Sequence, residues 1–164
     1  MPDISKDKSL TLFIKENQNS FYRVAYSYVK NPDTALDLVQ DAIVKALQKR
    51  DTLKKEEYIK TWFYRILINE CLMHLRKNKK IVFLNDMYDY DPVDNSTYNQ
   101  DDVHELYKAI ENLEPKLKTI IILRFFEDLK IEEIAKITDS NVNTVKSRLY
   151  KALNILKLKV EDYY

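Results

Sequence analysis

IEEIAKITDSNVNTVKSRLYKALNILK, residues 131–157, holds two helical patterns separated by four turn-forming residues. The first, residues 131–137, is short. The second, residues 142–158, repeats Val142, Val145, Leu149, Ala152, Leu153 and Leu156 along one helical face. Asn143, Ser147, Tyr150, Lys151 and Asn154 line the other face, with Lys146 beside them. Asn141 is placed to cap the second helix, because its side-chain oxygen can accept from a free amide of the first turn, and such amides also suit a phosphate. From residue 141 to 157 there are basic groups at Lys146, Arg148, Lys151 and Lys157 and no acidic one. Any amphipathic helix has a solvated polar face, often rich in lysine. A short helix, a tight turn and a longer basic helix in succession form the helix-turn-helix pattern instead, and the outward residues are of the types that read base edges and hold phosphates.

The 164-residue chain is nearly charge-balanced at +1, but the charge is laid out in blocks. Residues 1–80 hold 16 basic and 10 acidic side chains, residues 81–105 hold none and 7, and residues 106–164 hold 11 and 9. Basic surfaces attract polyanions whatever the overall sum. With Cys71 as the one cysteine, no disulfide within the chain is possible, and a reducing, intracellular setting is expected. The start of the chain lacks a signal-peptide core. The most apolar window, residues 58–75, is broken by Lys60, Arg65 and Glu70, against a membrane span.

Upstream, Leu10, Phe13, Ile14, Phe21, Val24, Ala25 and Tyr28 fall on one helical face, and Asn31-Pro32-Asp33 supplies a turn and a cap. The next helix carries a core stripe of Ala35, Leu38, Val39, Ala42, Ile43, Ala46 and Leu47. Its other face sets Leu36, Gln40 and Val44 at i, i+4 spacing among Asp37, Asp41 and Lys45, the look of a helix that docks on another helix. A third helix is expected from about residue 58 to 76, followed by the basic cluster RKNKK. Residues 85–102 then carry six aspartates, no basic residue and no sustained period, and read as a linker. Val103, Leu106, Tyr107 and Ile110 begin a new helical pattern, and Pro115 suits the first turn of the helix after it.

The third helix and the loop before it form a second set suited to nucleic acid. Lys54, Lys55, Lys60 and Arg65 offer phosphate contacts; Tyr58, Trp62, Phe63 and Tyr64 offer rings on which an unstacked base can lie, although Phe63 and much of Trp62 are expected in the core. Chemistry has little foothold. His74 and His104 have no ligands at metal spacing, there is no glycine for a phosphate-cradling loop, and no nucleophile sits in a recognisable turn. The expectation is no enzyme, no cofactor and no metal site.

At these residues the sequence resembles a known family. LEPKLKTIIILRFFEDLKIEEIAKITDSNVNTVKSRLYKALNIL is similar to the promoter-binding C-terminal domain of sigma-70 factors in the extracytoplasmic-function group. NPDTALDLVQDAIVKAL resembles the family's core-polymerase-binding helix, and IKTWFYRILINECLMHLRK the helix that melts and reads the minus-10 promoter element. The resemblance covers nearly the whole chain. Asp139 and Asn143 stand where the family usually has glycine, and Lys130 where it often has a capping serine.

The resemblance implies an all-α, two-domain RNA polymerase sigma factor of the cytoplasm that directs transcription initiation, of a stress or envelope-response regulon. An N-terminal domain spans residues 1–80, an acidic linker 81–101 and a C-terminal domain 102–164. The implied minus-35 contacts are Asn143, Thr144, Lys146, Ser147, Arg148, Tyr150 and Lys151. Those for the minus-10 element are Lys54, Lys55, Tyr58, Lys60, Thr61, Trp62, Tyr64 and Arg65. Leu36, Asp37, Gln40, Asp41 and Val44 would meet the clamp helices of the polymerase beta-prime subunit. The implied partners are core RNA polymerase, promoter DNA and an anti-sigma factor, of a kind often membrane-anchored. Two other readings stay open: an autonomous helix-turn-helix regulator, which would normally bring its own dimerisation surface, and a helical adaptor that leaves the basic helix without a use.

Overall fold

The computed structural model describes residues 4–84 and 102–161, and among them every regular element is helical. The expected acidic linker falls, from residue 85 onward, outside the described residues. The first half contains α1 (Ile4–Glu16), α2 (Gln18–Val29), α3 (Pro32–Gln48) and α4 (Ile59–Leu84). The second contains α5 (Asp102–Glu111), α6 (Pro115–Ile121), α7 (Ile131–Ile137) and α8 (Val142–Glu161). No helix among the described residues is long and apolar enough to cross a membrane.

The single face read from Leu10 to Tyr28 is carried by two helices. The Asn17 side chain donates to the Phe13 carbonyl at 2.8 Å, and its backbone leaves helical geometry at φ −118°, ψ 15°. Asparagine competes for backbone hydrogen bonds in this way, so the chain breaks there while both pieces stay on the core. At the next turn the cap is as read: Asn31 accepts from the Thr34 amide at 3.0 Å, and Pro32 opens α3. The third expected helix is longer than its apolar pattern, because α4 runs on through the basic cluster to Leu84.

Around α4 the N-terminal helices close an aromatic core. Phe21 and Phe63 stack at 4.3 Å, Phe13 approaches both, and Ala35, Ala42 and Ala46 are fully buried on α3. Alanine at these positions lets α3 lie close to α2 and α4, which it packs against. Burying each Phe side chain contributes on the order of 2 kcal/mol. In the second half α8 packs on α5, α6 and α7 through Val145, Leu149, Ala152 and Leu156. Between α6 and α7 the chain makes a π-helical turn, Ile122–Phe126.

With no glycine available, three other residues among those described take left-handed backbone: Lys30 at φ 54°, Asp128 at 55° and Asp139 at 53°. Asp139 fills that conformation at the tight turn between α7 and α8, where glycine was missing; Asn143, by contrast, lies within α8. Lys130 lacks a side-chain acceptor, and Glu133 compensates by reaching back to the Lys130 amide at 3.1 Å. The two halves touch through α4 and α7.

Candidate nucleic-acid interface

Helix α8 is assembled from its first residue. Asn141 accepts from the Thr144 amide at 2.7 Å, fixing the start of α8. Apolar packing then turns the opposite side outward, leaving Asn143, Lys146, Ser147, Tyr150 and Lys151 exposed together, Tyr150 at 62%. Thr144 and Arg148 lie at the edge of this face, and the Arg148 guanidinium donates to the Ser140 hydroxyl at 3.3 Å, tying the helix to the turn. Leu153, expected to pack inside, is 37% exposed. It borders an open apolar groove of about 590 Å³ that Leu106, Ile110, Phe125 and Phe126 also line, which the periodicity of α8 alone did not reveal.

On α3 the residues expected to dock form an exposed ridge. Leu36 and Val44 are half exposed, and Asp37, Gln40 and Asp41 stand exposed around them. Leu47 was read into the core and instead continues the ridge, 42% exposed, because Ala46 takes the inward position. Lys45 turns away from the ridge to pair with the buried Glu70 of α4.

The loop before α4 is pinned rather than loose. Leu53 is buried, the Lys6 ammonium donates to its carbonyl at 2.8 Å, and the Trp62 indole donates to the Thr52 hydroxyl at 2.9 Å. Trp62 is half-buried and Phe63 fully so, while Lys54, Lys55, Tyr58 and Arg65 are exposed.

Tyr64 departs from the expectation of an open ring. It is buried, and its hydroxyl donates to the Glu127 carboxyl at 2.7 Å. Lys60 donates to the Glu127 carbonyl at 2.7 Å, Thr61 to the Glu133 carboxylate at 3.3 Å, and the Lys136 ammonium lies 5.7 Å from the Tyr58 ring centre. Four residues of the expected minus-10 set therefore face the C-terminal half. The sequence had marked them only as members of a set suited to nucleic acid on the third helix and the loop before it.

Burial and bonding tune this junction. Burial raises the Glu127 pKa, opposed by the bond from Tyr64 and by Lys60 and Arg23. Burial, reinforced by the bond to Glu127 and its charge, raises that of Tyr64. Nearby, Lys118 donates to the Ser27 carbonyl at 3.1 Å, and the Tyr28 and Thr119 hydroxyls share a hydrogen bond. Burial, with help from Lys30, lowers the Lys118 pKa to about 8. Among the described residues no group of three His, Cys, Asp or Glu could hold a metal ion.

The family model described as sigma-70 region 2 matches residues 13–81, and that described as sigma-70, region 4 matches residues 104–156. The RNA polymerase sigma factor SigV of Bacillus subtilis (strain 168) is 46% identical over 154 residues, spanning 92% of this chain and 90% of that protein. The ECF RNA polymerase sigma-E factor of Haemophilus influenzae is 29% identical over 168 residues, spanning 94% and 88%. Among solved structures, the sigma factor RpoE of Bartonella quintana, in complex with the anti-sigma factor NepR, is 27% identical and matches 94% of this chain and 98% of its own with a TM-score of 0.77.

Proposed function

This chain belongs to the sigma-70 family, in its extracytoplasmic-function group, and we infer from that membership that it is an RNA polymerase sigma factor directing promoter recognition and transcription initiation. It acts with core RNA polymerase on promoter DNA and answers to an anti-sigma factor. The observation that carries the reading is the order of three surfaces along one chain: the α3 ridge, the α4 face and the α8 face.

The two domains are taken as residues 1–80 and 102–164. In the proposed division of labour, the ridge of Leu36, Asp37, Gln40, Asp41 and Val44, extended by Leu47, docks on the beta-prime clamp helices. Apolar groups at helical spacing rimmed by carboxylates and an amide suit a helix-on-helix contact. The α8 face reads the minus-35 element, its lysines and Asn143 being of the types that bind base edges or phosphates. Lys54, Lys55, Tyr58 and Arg65, with Lys60, Thr61, Trp62 and Tyr64 behind them, engage the minus-10 element by phosphate contacts and stacking. The protein supplies positioning and no chemistry, and works in the cytoplasm where the polymerase is.

Run-off transcription with added core polymerase on genomic DNA, followed by mapping of start sites, tests this. Core-dependent, promoter-specific starts are expected. Nanomolar, sequence-specific duplex binding by the protein alone, at near-physiological salt, would favour an autonomous regulator, since one small basic face without a dimer partner has few phosphate contacts to release counterions.

A further inference from the structure

The loop that joins α3 to α4 carries Lys54, Lys55 and Tyr58 of the proposed minus-10 set, and α1 holds it from outside. The Lys6 ammonium donates to the Leu53 carbonyl at 2.8 Å, the Ser5 hydroxyl donates to the Glu56 carboxylate at 2.6 Å, and Asp7 faces the Arg50 guanidinium at 3.9 Å. Successive residues of a helix point about 100° apart, so three in a row can all meet only a segment that curls around them. The loop therefore wraps the first turn of α1. Between the two bonded positions, Leu53 and Glu56, stand Lys54 and Lys55, both exposed. We propose that Lys6 and Ser5 are positioning residues for minus-10 recognition: they fix residues 53–56 in the shape that presents the two lysines, and Tyr58 beyond them, to the promoter strand. The proposal rests on the sigma-factor reading above and deepens it, because it adds two residues that act through the loop rather than on DNA.

The rest of the loop shows why the two bonds matter. On one side Leu53 is buried, and the Thr52 hydroxyl accepts from the Trp62 indole at 2.9 Å and donates to the Lys49 carbonyl at 2.7 Å. On the other side the chain is anchored again where Ile59 is buried at the start of α4. Every residue from Lys54 to Tyr58 is exposed. Within the N-terminal half this stretch would otherwise rest on its ends and on one internal turn, from the Tyr58 amide to the Lys55 carbonyl at 3.0 Å. Both α1 bonds are charge-assisted, one through its donor and one through its acceptor, and such bonds are the stronger kind. Lys6 grips the backbone, so it constrains the path of the chain itself. A strand that meets a loop already in its bound shape does not lose affinity to ordering it.

The test uses the full-length chain assembled with core polymerase. Lys6→Met keeps an aliphatic stem and removes the donor, Lys6→Arg restores a donor, and Ser5→Ala removes the second bond; circular dichroism and urea unfolding check that each variant is folded. Each holoenzyme is titrated with a forked promoter whose minus-10 strand is unpaired, taken from a mapped start site, and with a series in which each minus-10 base is changed in turn. Lys6→Met should bind the fork about five- to tenfold more weakly, the change that losing one charge-assisted bond supports, and should discriminate less between bases. Lys6→Arg should recover most of both, and Ser5→Ala should show a smaller loss in the same direction. Affinity for core polymerase, assigned to the separate α3 ridge, should stay within about twofold. A purely structural role for α1 would lower stability and leave base preference as it was. Fork affinity and preference equal to wild type in folded Lys6→Met would overturn the proposal, as would a loss that Lys6→Arg does not reduce. Ser5→Ala, at an exposed site, gives the same decision should Lys6→Met not fold. Failure of the minus-10 reading would look different: Lys54→Ala and Lys55→Ala together would leave fork binding unchanged.

Discussion

Lys118 of α6 donates its ammonium to the backbone carbonyl of Ser27 on α2, 3.1 Å away, bonding the two halves of the chain across 91 residues. Its pKa is held at about 8 by burial, against an ordinary 10.5, so the folded state releases this proton before the unfolded chain does. Below pH 8 both states carry it and the penalty on folding is complete; as pH rises from 8 toward 10.5 the penalty is relieved and stability increases. From about pH 9 the buried Cys71 thiol, and near pH 10 the buried Tyr28 and Tyr64, act the other way, because their raised pKa values disfavour folding once the unfolded groups ionise. Urea unfolding between pH 8 and 9.5 should show a gain on the order of 1 kcal/mol. The gain should be absent in Lys118→Met.

Tyr64→Phe is expected to destabilise the protein by about 1–3 kcal/mol, because it leaves the buried Glu127 carboxyl without its hydroxyl donor. The cost should shrink when Glu127→Ala is already present. A double-mutant cycle by urea unfolding measures it, and independent, additive effects would show that the bond carries no stability.

Asn141→Ala removes the acceptor of the Thr144 amide at the start of α8. A loss of about 1 kcal/mol is expected, with Asn141→Ser recovering most of it. Thermal unfolding of the three proteins gives the comparison.

Replacing Lys146, Tyr150 and Lys151 together by alanine should abolish promoter-specific binding by holoenzyme while leaving the fold intact, since all three are exposed. Single replacements separate the roles. One that reads a base costs about 1–3 kcal/mol and relaxes preference at one position, whereas a phosphate contact weakens all sequences alike and reduces the salt slope. Wild-type promoter binding by the triple variant would remove α8 from the minus-35 contact.

Val44→Asp and Leu47→Asp should each weaken binding to core polymerase at least about tenfold, because each puts a charge in an apolar contact while leaving stability little changed at a half-exposed site. Leu47 is the sharper probe. If only Val44→Asp has an effect, the docking ridge ends one turn earlier than the exposure pattern indicates.

The sequence alone determined what depends on neighbours in the chain. The start of α8 was legible because an N-cap needs only Asn141 and the amide three residues on, and the outward face of α8 because a 3.6-residue period fixes which side chains point together. The same local rules located the turn at Asn31-Pro32, while the resemblance to the family pointed to the left-handed position at Asp139. The all-helical class followed from those periods.

Which of several chemically similar groups meets which partner follows from tertiary packing. Period alone could not choose whether Ala46 or Leu47 turned inward on α3, since both border the apolar stripe; the close approach of α4 selected the smaller. Nor could it distinguish Tyr64 from Tyr58 as an open ring. Tyr64 is closed because Glu127 arrives from 63 residues away, and a glutamate in that sequence context looks like any solvated charge. Pairings of this kind depend on which surfaces long-range packing brings together, and a periodicity that repeats every few residues carries no record of that distance.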